Sequence, residues 1–71
     1  MKIIFTKHAR ERMRERDIFE KEVIECTKHP DKIVKERGQI CRFQKQFSHG
    51  VLQVIGEQKR NHFVVITAYP L

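Results

Sequence analysis

The feature that most restricts how this chain can fold is a change of period at Pro30. Before it, apolar residues recur at helical spacing; after it, they alternate. Thr6 is a good N-cap, and the spacing predicts a first helix from Lys7 to Arg16 with Ala9 and Met13 as its thin apolar strip. Asp17 breaks the pattern. A second helix is expected from Phe19 to Lys28, where Phe19, Val23, Cys26 and Thr27 share a face and Ile24 borders it. Glu20, Glu22 and Glu25 fill its exposed side. His29-Pro30 ends it, because a residue before proline avoids helical dihedrals.

Beyond Pro30 the pattern is that of strands. Ile33 and Val34 suggest a short one, ending near Arg37-Gly38. Gln39 to Phe47 puts Cys41, Phe43 and Phe47 on one side and Ile40, Arg42, Gln44 and Gln46 on the other. Ser48-His49-Gly50 is a turn signal. Val51 to Glu57 is the next strand, and His62 to Tyr69 the last, most apolar one, expected at the centre of the sheet. By strict alternation Thr67 and Tyr69 share a face with Phe63 and Val65. The connections are short, so neighbouring strands should be antiparallel. Ile3-Ile4-Phe5 reads only as a short β-prone start. The expected architecture is α+β, with two N-terminal helices packed on one face of a three- to four-stranded antiparallel sheet. At 71 residues the chain holds one domain, residues 1–71, with a core thin enough to tolerate dimerisation through a sheet edge.

Lys and Arg number 15 against 9 Asp and Glu, a net charge of +6 that favours polyanions, chiefly nucleic acid or an acidic protein segment. There is no apolar run of membrane length and no leader pattern, so the expected location is the cytoplasm, with no membrane association. No glycine-rich phosphate loop occurs, and nucleotide-cradle chemistry is not expected. Cys26, His29, Cys41 and His49 lack the paired spacing of a zinc site, so neither metal nor cofactor is expected. The two cysteines read as small buried hydrophobes.

The candidate chemistry lies on the first helix. His8, Arg12 and Arg16 form a stripe at i, i+4 and i+8. A histidine titrates near neutral pH and serves as general acid or base; an arginine fork binds phosphate and stabilises the charge that grows in phosphoryl transfer. Thr67 and Tyr69 add two hydroxyls near the end of the last strand, and the expectation is that they meet His8 and Arg12 at one edge of the helix–sheet junction. Arg42 and Lys45 are further candidates for nucleic-acid contact, but they alternate to opposite faces, so only one can join a single-faced site.

The opening Phe5-Thr6-Lys7-His8-Ala9-x-x-Arg12-Met13-x-x-Arg16-x-Ile18, then Val23, His29-Pro30, Arg42-Phe43 and the closing Val64-Val65-Ile66-Thr67-Ala68-Tyr69-Pro70, resemble the DUF4258 family over nearly the whole chain. Phe19 departs from the pattern, standing where a capping Ser or Thr is expected. The resemblance implies the RelE-like fold of the barnase–EndoU–colicin–RelE ribonucleases and a metal-independent, toxin-like endoribonuclease. Its motif positions fall on His8, Arg12, Arg16, Thr67 and Tyr69. RNA brings its own nucleophile, the 2′-hydroxyl. His8 would act as base or acid, with Arg12 and Arg16 on the phosphate, Thr67 orienting and Tyr69 stacking or donating a proton. The products would be 2′,3′-cyclic phosphate and 5′-hydroxyl ends. An acidic antitoxin protein is the natural partner of such a chain. The alternative is a non-catalytic basic module that binds nucleic acid or an acidic partner protein.

Overall fold

The computed structural model describes residues 1–71. The element order is β1 (Lys2–Phe5), α1 (Lys7–Glu15), α2 (Glu20–Lys28), β2 (Lys32–Lys35), β3 (Ile40–Phe47), β4 (Gly50–Gln58) and β5 (His62–Pro70). The strands make one five-stranded sheet in the order β1-β5-β4-β3-β2. β2 to β5 pair antiparallel, as their short connections require. β1 does not, and this corrects the expected all-antiparallel sheet of three or four strands. The β-prone start is a full strand that pairs parallel with β5, Ile3 opposite Phe63 and Phe5 opposite Val65. The physical reason is the connection: a parallel neighbour needs a long crossover, and everything between Thr6 and Asn61 serves as one. β5 is therefore interior, flanked by β1 and β4, although β4 holds the middle place.

Both helices pack on the same face. Ala9 and Met13 of α1 and Val23 and Cys26 of α2 join Cys41, Phe43, Leu52, Val54, Phe63, Val65 and Ala68 in one core. The Phe43 and Phe63 rings meet edge to face at 5.1 Å, a favoured aromatic arrangement. Gly56 lets Phe63 lie against β4: a Cβ there would fall within clashing distance of the Phe63 ring and 2.5 Å from the Val64 carbonyl oxygen. Cys26 is fully buried and its Sγ lies 3.5 Å from the Phe43 carbonyl oxygen. Burial pushes its thiol up from the ordinary 9.0 to about 11, with Lys45 opposing and Asp31 adding to the rise.

The end of α1 determines where Arg16 can reach. Asp17 adopts a left-handed φ of 55°. Its N–H donates to the Arg14 carbonyl at 3.3 Å, and the Ile18 N–H donates to the Met13 carbonyl at 2.8 Å. That pair of bonds is a Schellman ending, completed by Met13 and Ile18 entering the same core. At the other helix, Phe19 is the N-cap but supplies no capping oxygen, and its ring is 65% exposed rather than on the buried face. Glu22 stands in by accepting the Phe19 N–H at 2.9 Å. No helix is long and apolar enough to cross a membrane.

Candidate functional site

The other face of the sheet carries no helix. Register sets out its side chains in rows, because directly opposite residues share a face. One row runs Lys32, Gln44, Gln53, Tyr69 across β2, β3, β4 and β5. The next runs Val34, Arg42, Ile55, Thr67. Tyr69 and Thr67 are here because of a bulge: Gly56 opposes Val65 while Ile55 opposes Thr67, so Ile66 is an extra residue in β5. The bulge inverts the alternation beyond it. Ala68 takes the core position next in line after Phe63 and Val65, and Thr67 and Tyr69 turn to the uncovered face. This corrects the expectation that both hydroxyls share the face of Phe63 and Val65.

The first row is a hydrogen-bonded chain. Gln44 Nε2 donates to Gln53 Oε1 at 2.7 Å, and Gln53 Nε2 donates to the Tyr69 hydroxyl oxygen at 2.7 Å. Gln53 is only 2% exposed although no element covers it, because its neighbours in the row enclose it. A buried amide is stable only when its donors and acceptors are met, and this one is fixed from both sides.

Arg16 closes the row. β1 pairs only with His62–Val65, which leaves the outer edge of β5 open beyond that point. Over this edge the Arg16 guanidinium donates to Thr67 Oγ1 at 3.2 Å and to the Ala68 carbonyl at 3.0 Å. It also lies 5.7 Å from the Tyr69 ring centroid, in cation–π range. The Thr67 and Tyr69 oxygens each accept a bond, so both keep an O–H to donate. Arg16 likewise has N–H groups to spare. The corner is thus rich in donors, as an anion site must be.

The structure does not bring the whole predicted set together. Arg16, Thr67 and Tyr69 converge. His8 is exposed on α1 with no hydrogen bond or ion pair to Thr67 or Tyr69, and Arg12 pairs with Glu15 at 3.0 Å along its own helix. Arg42 stands on the uncovered face in the same row as Thr67, two strands away, its Nε 3.0 Å from Glu36 Oε1 but off the angle of a hydrogen bond. Lys45 points to the helix side, donating to the His29 carbonyl at 2.8 Å and so finishing α2. The cysteines and histidines do not gather: no three His, Cys, Asp or Glu side chains stand close enough to hold a metal ion, and His49 instead pairs with Glu22 at 2.8 Å. Lys32, Gln44 and Gln53 were absent from the predicted set. Period alone puts Gln44 on this face, but pairing across four strands is needed to see the row.

The family model for a domain of unknown function, DUF4258, matches residues 5–70. The chain belongs to that family. No curated protein and no solved structure matches it.

Proposed function

We propose that this domain binds single-stranded RNA on the uncovered face of its sheet, with a phosphate held at the corner of Arg16, Thr67 and Tyr69. The observation that carries this reading is the convergence of a guanidinium and two hydroxyl donors at the free edge of β5. The net charge of +6 supplies the long-range attraction that a polyanion feels. The Tyr69 ring is a platform on which an unpaired base stacks, worth about 1–3 kcal/mol per base in such sites. Single strands suit it better than duplex, because bases must be unstacked to reach a side chain on a sheet.

The test is fluorescence anisotropy with a short labelled RNA, alongside duplex DNA and an acidic peptide. The parent protein is expected to prefer the single strand, and Arg16→Ala to lower its affinity about tenfold or more, the size of a lost charge-assisted contact. Equal binding of the acidic peptide would favour a protein partner and overturn the RNA reading.

A second reading has its own observation. The Tyr69 hydroxyl oxygen accepts from Gln53, which leaves its own O–H free to donate beside the guanidinium of Arg16. That pairing fits cleavage by 2′-hydroxyl attack: the 2′-oxygen bonds to phosphorus and gives its proton to solvent water, Arg16 stabilises the phosphorane, and the P–O5′ bond breaks as Tyr69 protonates the leaving 5′-oxygen. This is the ribonuclease activity that the RelE-like resemblance implies, moved away from His8. Incubation with RNA in EDTA would reveal cyclic-phosphate ends, lost in Tyr69→Phe and kept in His8→Ala. Loss in His8→Ala would return the histidine to the centre of the reaction.

A further inference from the structure

Resting on the RNA-binding reading above, we propose that the row Lys32–Gln44–Gln53–Tyr69 is a strand-crossing track for a short RNA segment and that Gln44 selects adenine within it. The row steps across four adjacent strands, about 14 Å at the usual strand spacing, which is room for only a few nucleotides. A cation stands at each end. Lys32 is exposed and forms no ion pair, and Arg16 closes the opposite end through Thr67 and Ala68. Two cations flanking a polar middle suit phosphates at the ends and a base between them.

The hydrogen-bond chain decides which group can read that base. The Gln53 amide is spent: Oε1 accepts from Gln44, Nε2 donates to Tyr69, and the side chain is enclosed. The Gln44 amide spends one N–H on Gln53 and keeps its other N–H and its Oε1. The side chain is half-buried and makes no other hydrogen bond, so those two atoms are left for a ligand. A donor and an acceptor side by side match the N6 donor and N7 acceptor of adenine. On this Hoogsteen edge adenine alone sets a donor beside an acceptor: guanine offers two acceptors there, and the donor–acceptor pairs of cytosine and uracil lie on their Watson–Crick edges, so a track that presents the Hoogsteen edge selects adenine. The bond to Gln53 also holds the Gln44 amide in one orientation, so its donor and acceptor are presented in a fixed order. Tyr69, positioned from the same chain, stacks the neighbouring base.

The test compares short oligo-rA, oligo-rC and oligo-rU binding by anisotropy across a salt series. The parent protein is expected to prefer rA by about tenfold, the range of one bidentate base contact. Gln44→Ala should lower rA binding most and bring the three oligomers within about twofold of one another. Lys32→Ala should weaken all three alike and reduce the salt slope by about one. Gln44→Met, which keeps the length of the side chain and removes its polar atoms, repeats the test without opening the row, and thermal melts confirm that each variant is folded. If Arg16→Ala abolishes RNA binding but Gln44→Ala and Gln44→Met keep the adenine preference, the track is overturned and the RNA-binding reading stands. If the parent binds no RNA, both fall together.

Discussion

The two faces of one sheet are built from the same strands and differ in almost everything else. On the helix side, Phe43, Val54, Val65 and Phe63 meet α1 and α2 in a closed apolar core. On the other side the corresponding places are taken by Gln44, Gln53 and Tyr69, joined by hydrogen bonds and capped by Arg16. The difference separates what folds the chain from what is left to bind. A chain of this length buries only about 60% of its unfolded surface, so one covered face is nearly all the core it can have. The second face is then free to hold polar groups in fixed positions, provided they satisfy one another.

The comparison breaks most severely if the covered face tolerates intrusion. Gly56→Ala would drive a methyl into the Phe63 ring and the Val64 carbonyl. The expected loss is about 3 kcal/mol, at the upper end of overpacking effects, read by urea denaturation. A loss below about 1 kcal/mol would mean that β4 and β5 are not held together as described.

A second test probes the same core through its thiol. Because burial raises the Cys26 pKa from 9.0 to about 11, the folded protein keeps a proton that the unfolded chain releases. Stability should therefore fall as pH rises from about 9 to about 11, by at most about 2–3 kcal/mol. Below pH 9.0 both states hold the proton and the effect vanishes. Denaturation midpoints across that range should show a slope that Cys26→Ala reduces; an identical slope in the variant would refute the assignment.

The uncovered face is predicted to be less sensitive but not inert. Tyr69→Phe leaves the buried Gln53 Nε2 without its acceptor, and should cost about 1–2 kcal/mol. No change in the melting midpoint would show that the row is not a connected network. The smallest effect has the opposite sign. Asp17 holds a left-handed conformation at φ 55° beside the negative end of α1. Asp17→Gly relieves both strains and should raise stability by about 0.5–1 kcal/mol, measured by thermal melting.

Much of the covered face was legible in the sequence. Helical spacing located Ala9, Met13, Val23 and Cys26, and alternation sorted Cys41 and Phe43 from Arg42 and Gln44. Both signals are local. What escaped was set by distant pairing. Ile3-Ile4-Phe5 becomes a strand only because β5 lies beside it, and nothing within those three residues announces a parallel partner far along the chain. The bulge at Ile66 escaped for a related reason. Its own segment, Val64 to Thr67, contains no glycine to mark a break, and the one hint, Gly56, lies on the neighbouring strand. That single extra residue moved Thr67 and Tyr69 to the other face. Likewise the stripe His8, Arg12, Arg16 is real helical spacing, but only its last member sits where the Schellman turn lets a side chain cross the edge of β5.

The most direct test of the division between the faces is an NMR titration of the labelled protein with short single-stranded RNA. The account predicts that shift changes concentrate on Lys32, Gln44, Gln53, Thr67, Tyr69 and the Arg16 side chain, while the α2 core residues Val23 and Cys26 stay still. Changes centred instead on His8 and Arg12, with the row unperturbed, would contradict it and place the binding surface on the outer side of α1.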